Sequence, residues 1–173
     1  MSVVQYVIAR TPDDIDAVRG LFMEYGASLD FDLCFQGFDE ELATLPGKYA
    51  APSGCLFLMR CQNGDAVGCV GVRPLAEAGC AEMKRLYVRD NWRGDGLGRE
   101  LAHRAISFAR EAGYSTLRLD TLPDQMVRAD AMYRRLGFVP TAAYYDNPVA
   151  GATYYGLSLT RGTGAQEAGG LRE

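Results

Sequence analysis

Residues 93–98 read Arg-Gly-Asp-Gly-Leu-Gly and stand between a strand-like run and an amphipathic helical one. Few folds accommodate that arrangement. Glycines at 94, 96 and 98 allow positive φ and let a ligand approach the backbone. The first amides of the following helix have no partner within it, and the helix dipole favours an anion there. Arg93 adds a permanent cation with several donors. The segment is therefore expected to be a strand-to-helix turn able to cradle a pyrophosphate. It lacks the Gly-Lys-Ser/Thr of a nucleotide P-loop and the spacing of the dinucleotide fingerprint. A purely structural turn is the competing reading.

The runs around the turn set the architecture. Glu82–Val88 reads as a strand. Leu97, Leu101, Ala105, Phe108 and Ala112 form one helical stripe that Gly113 closes. Thr116–Leu122 reads as the next strand, with Leu117, Leu119 and Thr121 on one face. Ala129, Met132, Tyr133 and Leu136 mark a further helix ending at Gly137. A strand–helix–strand connection of this length implies parallel pairing with a right-handed crossover. Upstream, Val3–Ala9 predicts a strand. Thr11 and Pro12 predict a helix start, with Ile15, Val18, Leu21, Phe22 and Tyr25 as its apolar face and Gly26 as its end. Asp30–Phe38 predicts a loop and Asp39–Leu45 a short helix. Cys55–Cys61 and Ala66–Val72 flank Asn63-Gly64, a hairpin turn signal. Phe138–Ala143 and Thr153–Leu159 supply closing strands. The expected fold is α/β (α+β): a mixed, mostly antiparallel sheet of about six or seven strands with one parallel pair and helices on both faces. Residues 1–160 read as a single domain and 161–173 as a flexible tail.

Composition removes several function classes. The net charge is −4 and the pI about 5.1, without the basic stripe of a nucleic-acid binder. No apolar run approaches the roughly 18 residues needed to span a bilayer. Five cysteines occur with no zinc spacing, and a single histidine, His103, accompanies them, so no metal is expected. Cys61 and Cys69 flank the hairpin and are candidates for a disulfide. The chain shows no basic, apolar leader, however, and reduced thiols in a cytoplasmic protein are expected.

Arg93-x-x-Gly96-x-Gly98 resembles the acetyl-CoA signature, Arg/Gln-x-x-Gly-x-Gly/Ala, of the GNAT superfamily of N-acetyltransferases. The likeness runs back through Glu82-Met-Lys-Arg-Leu-Tyr-Val88, similar to that family's central strand. It runs forward to Ala129, Met132, Tyr133, Gly137 and Phe138, similar to its second motif, and covers about residues 80–140. The resemblance implies the acyl-CoA N-acyltransferase fold with a splayed parallel pair, and acetyl-CoA as co-substrate. It implies a pantetheine arm against the backbone of Leu86, Tyr87 and Val88, and a pyrophosphate on Arg93, Gly94, Asp95, Gly96, Leu97 and Gly98. Val88 N–H becomes the oxyanion donor, Tyr133 the general acid and Glu82 the general base, directly or through water. Each has a plainer reading: Tyr133 as a core tyrosine, Glu82 as a strand-end carboxylate or a partner for Lys84. On a regular strand Glu82 shares a face with Lys84, Leu86 and Val88; a bulge breaks that parity. The family's asparagine seven residues before the tyrosine is Met126 here, so one contact to the pantetheine arm is replaced. Cys80 would permit a covalent acyl-cysteine route, but His103 lies on the polar face of its helix and cannot assist.

The resemblance implies a small-molecule amine or amino acid as acceptor. A protein N-terminus or lysine, or a non-catalytic acyl-CoA-binding module, are the alternatives, and a homodimer is open. Candidate acceptor contacts are Phe31 and Phe35, in a loop whose acids would attract a cationic amine, and Tyr144, Tyr145 and Asn147 after the penultimate strand.

Overall fold

The computed structural model describes residues 3–160; the tail expected at 161–173 lies outside them. Eleven elements follow in order: β1 (Val4–Ile8), α1 (Pro12–Ala27), α2 (Phe38–Thr44), β2 (Cys55–Cys61), β3 (Ala66–Pro74), β4 (Cys80–Val88), α3 (Leu97–Glu111), β5 (Thr116–Thr121), α4 (Val127–Arg135), β6 (Val139–Thr141) and β7 (Thr153–Ser158). The strands form one seven-stranded sheet in the order β1-β2-β3-β4-β5-β7-β6. Only β4–β5 is parallel; the other neighbours are antiparallel. The mixed sheet with a parallel pair is thus as expected.

Local chemistry explains most boundaries. Thr11 caps α1, its hydroxyl accepting from Asp14 N–H at 3.2 Å, with Pro12 in the first turn. Gly26 does not end α1, which runs on to Ala27. A β-carbon there would stand 2.8 Å from the Phe38 ring, so this glycine admits α2 against α1. Leu97, Leu101 and Ala105 of α3 are buried on one face of the sheet together with Tyr133 and Phe138. Val18, Leu21 and Phe22 of α1 cover the other face with Leu56, Leu58 and Cys69. Helices therefore lie on both faces, as the patterning required. The five cysteines are free thiols. No helix among the described residues is long and apolar enough to cross a membrane.

One packing contact links the sheet to the site. Tyr49 lies over Gly71 of β3, where a β-carbon would stand 2.5 Å from its ring. The Tyr49 ring cannot swing away, because it is buried and its hydroxyl donates to Glu41 Oε1 at 2.6 Å. Gly71→Ala should therefore lower stability by about 1–3 kcal/mol through overpacking. Urea unfolding checks this, and an unchanged midpoint would refute the tight contact.

Candidate active site

The site is built where β4 changes its pairing. β4 pairs with β5 only at Cys80–Thr116, Ala81–Leu117 and Glu82–Arg118. β4 continues to Val88 and β5 to Thr121 without further pairing, so the two strands part. On its other edge β4 carries an extra residue: Cys69 faces Tyr87 and Gly71 faces Lys84. Two residues, Arg85 and Leu86, thus stand opposite Val70, which is a β-bulge. Arg85 has φ +58°, a left-handed conformation that costs a non-glycine residue of order 1–3 kcal/mol.

The bulge flips the strand's parity. Ala81 and Met83 belong to the α3-side core, and so do Leu86 and Val88 beyond it. Glu82 and Lys84 share the opposite face, as expected, but Leu86 and Val88 do not join them. Arg85 joins instead and reaches Gln36 and Glu41. Glu82, Lys84 and Arg85 are 1%, 6% and 4% exposed, so three charges lie together in the interior.

They are held by a closed network. Arg73 reaches Glu82 at 3.0 Å and Glu41 at 3.3 Å. Arg85 Nε donates to Glu41 Oε2 at 2.9 Å. Lys84 Nζ donates to Asp120 Oδ1 at 3.3 Å and to Gln36 Oε1 at 3.0 Å, and lies 4.0 Å from Glu82. Burial pulls the Lys84 ammonium below its ordinary pKa, against the stabilising charges of Glu82 and Asp120. Tyr144 donates to Glu82 Oε2, and Tyr145 to Asp120 Oδ2. Burial raises both phenols well above their usual pKa, and the adjacent carboxylates raise them further. Asn147 donates to the Tyr145 hydroxyl at 3.0 Å.

Two cavities adjoin this network. One, of about 240 Å³, is lined by Arg73, Glu77, Glu82, Lys84, Arg118, Tyr144 and Tyr145. The other, of about 90 Å³, lies at the parting of β4 and β5 and includes Tyr25, Phe31, Gln36, Met83, Lys84, Arg85, Leu86, Met126, Tyr133 and Asn147. Gln36 and Lys84 line both. Tyr133 packs edge-on against Phe138 at 5.9 Å. Burial, reinforced by Tyr25, Asp120 and Asp130, holds its phenol well above the ordinary value, so at neutral pH it keeps its proton. Met126 accepts a weak hydrogen bond from Thr121 at 3.7 Å.

The glycine turn stands at the C-terminal end of β4. A short 3₁₀ turn, Asp90–Trp92, leads into Arg93. Gly94 and Gly96 have φ +103° and +78°, and a β-carbon on either would meet nothing within 4 Å. Gly96 precedes α3 and gives it no side-chain cap, so the first-turn amides of Leu97 and Gly98 have no partner within the helix. Arg93 folds back: its Nε donates to Val88 O at 2.7 Å, and its guanidinium pairs with Asp90. Arg89 N–H donates to Val67 O on β3. Alternation along the strand then turns the Val88 N–H toward the edge that β5 has left. Leu86 lines the parting, while Tyr87 packs on the α1 side.

Of the expected acceptor residues, Phe31, Tyr144, Tyr145 and Asn147 line these cavities; Phe35 stacks on Phe31 at 6.3 Å and is otherwise exposed. The acids of the Asp30–Glu41 segment do not line the cavities. Asp32 accepts from Cys34 N–H, and Glu41 is paired with Arg73 and Arg85. His103 is exposed, and Cys80 is buried. Among the described residues no cluster of His, Cys, Asp and Glu could hold a metal ion. The sequence reading missed Gln36, Arg73, Arg85 and Asp120. Two consecutive cations, Lys84-Arg85, inside a strand of the expected parallel pair were the available signal, since on a regular strand they would point to opposite faces.

Residues 23–138 match the model of the acetyltransferase (GNAT) family. The chain is 40% identical over 152 residues to an uncharacterized N-acetyltransferase of Schizosaccharomyces pombe, covering 88% of this chain and 93% of that one. It is 29% identical over 113 residues to N-acetylaspartate synthetase of Danio rerio, covering 65% of this chain and 40% of that protein. Its fold superposes with a TM-score of 0.70 on a Salmonella typhimurium protein described as an acetyltransferase and solved with its cofactor acetyl-CoA, at 19% identity, covering 96% of this chain and 99% of that one. With the glycine turn, the parted strands and the family match in agreement, the chain belongs to the acetyltransferase (GNAT) family and is an acyl-CoA-dependent N-acetyltransferase.

Proposed function

We propose that the protein transfers an acetyl group from acetyl-CoA to the primary amine of a small molecule or amino acid by direct attack. The observation that carries this reading is the early end of β4–β5 pairing. It leaves backbone donors and acceptors of β4 without a strand partner, beside a buried tyrosine. The residues present fit the cofactor: Gly94 and Gly96 leave open space above the turn, and the uncapped start of α3 offers amides to a pyrophosphate. Leu86 and Val88 would hold the pantetheine arm along the free edge of β4, while Tyr87 between them turns its backbone toward Cys69 of β3. Bound there, acetyl-CoA supplies an activated thioester.

The chain's own groups do the rest. The Val88 N–H, on the edge that β5 has left, would donate to the carbonyl oxygen as negative charge develops there. The substrate nitrogen forms the new C–N bond as the C–S bond breaks. Its proton passes to Glu82, through water or the Tyr144 hydroxyl that Glu82 holds. Tyr133 donates to the departing sulfur, and its raised pKa keeps that proton available. The named activity of the Danio rerio relative, N-acetylaspartate synthesis, supports a small amino acid over a protein acceptor.

Thermal unfolding with acetyl-CoA, ATP and NAD at equal concentration tests the cofactor. At 100 times its dissociation constant acetyl-CoA should add about 2.7 kcal/mol. A response to another nucleotide alone would sink the reading. Tyr133→Phe should lower kcat roughly 10²-fold or more with acetyl-CoA affinity retained; unchanged turnover removes the acid role. Glu82→Gln should lower kcat/KM to a similar degree with acetyl-CoA affinity retained. Unchanged turnover would mean that Glu82 is not the base.

A further inference from the structure

Counting donors against acceptors in the buried network reveals an imbalance. Both oxygens of each central carboxylate are engaged. Glu41 accepts from Tyr49, Arg73 and Arg85. Glu82 accepts from Arg73 and Tyr144. Asp120 accepts from Lys84, Tyr145 and Asn147. Gln36 Oε1 accepts from both Lys84 and Arg85. Every carboxylate oxygen of the network is engaged, yet not every donor reaches one. Arg85 is 4% exposed, and its Nη2 is buried with no hydrogen-bond partner among the described residues. Phe38 and Tyr25 flank the guanidinium at 4.9 and 5.8 Å. These rings hold it in place as cation–π partners. Lys84 carries three donors, two of which go to Gln36 and Asp120. Its Glu82 contact, at 4.0 Å, is too long for a hydrogen bond.

A buried charged donor without an acceptor is unfavourable, and this one sits on a left-handed bulge residue lining the cavity that also holds Tyr133. The unpaired donor is accounted for if a ligand brings the missing acceptor. We propose that the acceptor substrate is an α-amino acid whose carboxylate binds Arg85 Nη2, with the remaining Lys84 donor as its second contact. This rests on the acetyl-transfer reading and narrows it. An α-amino acid carries its amine and carboxylate on one carbon, so anchoring the carboxylate at Arg85 holds the amine in the cavity with Tyr133. Arg85 is thus a specificity-determining residue.

The test pairs each protein L-amino acid with its α-carboxamide. Binding to the CoA-saturated protein is read by calorimetry and acetylation by CoA-thiol release. Wild-type protein should favour the acid of at least one pair by roughly 10- to 100-fold, as expected for a charge-assisted hydrogen bond. In Arg85→Lys, which keeps the charge and loses the fork, that ratio should collapse. Equal binding of acid and amide in every pair, no binding of any acid, or an undiminished ratio in Arg85→Lys would overturn the proposal. The wild-type arm decides even if the variant does not fold. Stabilisation by acetyl-CoA in the same preparation reports separately on the acetyl-transfer reading, so its failure is distinguishable from loss of the carboxylate site.

Discussion

Everything at the site depends on β4 letting go of β5 after Glu82. A parallel pair buried in the middle of a sheet would ordinarily zip to its ends, because each unpaired N–H or C=O in the interior is costly. Here a bulge at Arg85, a site of increased local twist, follows shortly after the last pair at Glu82. The rest of the sheet makes the parting tolerable. β3 grips β4 along its other edge, and β7 pairs with β5 along its whole length, so both parted strands remain anchored.

The bulge also decides where charge goes. By reversing the alternation it brings Arg85 to the face already holding Glu82 and Lys84. Isolated, none of these would be stable in the interior, and removing one member of such a network costs more than the network itself contributes. It persists because distant segments converge on it: Gln36 and Glu41 from the α1–α2 side, Arg73 from β3, Asp120 from β5, Tyr144 and Tyr145 from the β6–β7 connection. Cavity walls drawn from so many parts of the chain keep their shape only while the whole fold is intact.

The glycine turn contributes a different kind of order. Its two positive-φ glycines and the uncapped start of α3 are local features. Arg93, bound to the Val88 carbonyl, fixes their position relative to β4. The glycine turn is therefore tied directly to the end of β4.

The sequence by itself determined the helix faces, the hairpin, the parallel crossover and the phosphate-type turn. Each rests on interactions within a few residues: the stripe from Leu97 to Phe108, the Asn63-Gly64 turn, the glycines before α3. It also singled out Tyr133 and Glu82 as candidates, because a two-motif pattern is itself local. What only the tertiary structure decided is which side of β4 each later residue faces, and which charges meet. A one-residue bulge inverts a period-two pattern, and the adjacent cations Lys84-Arg85 are a local trace that does not say which of them changes face. The acids near Asp30 looked like a lure for a cation when read along the chain. Folded, Glu41 neutralises Arg73 and Arg85, from strands far away in sequence, and what is left unsatisfied is one donor atom, Arg85 Nη2. Charge balance is a sum over neighbours in space, so it is set by the fold.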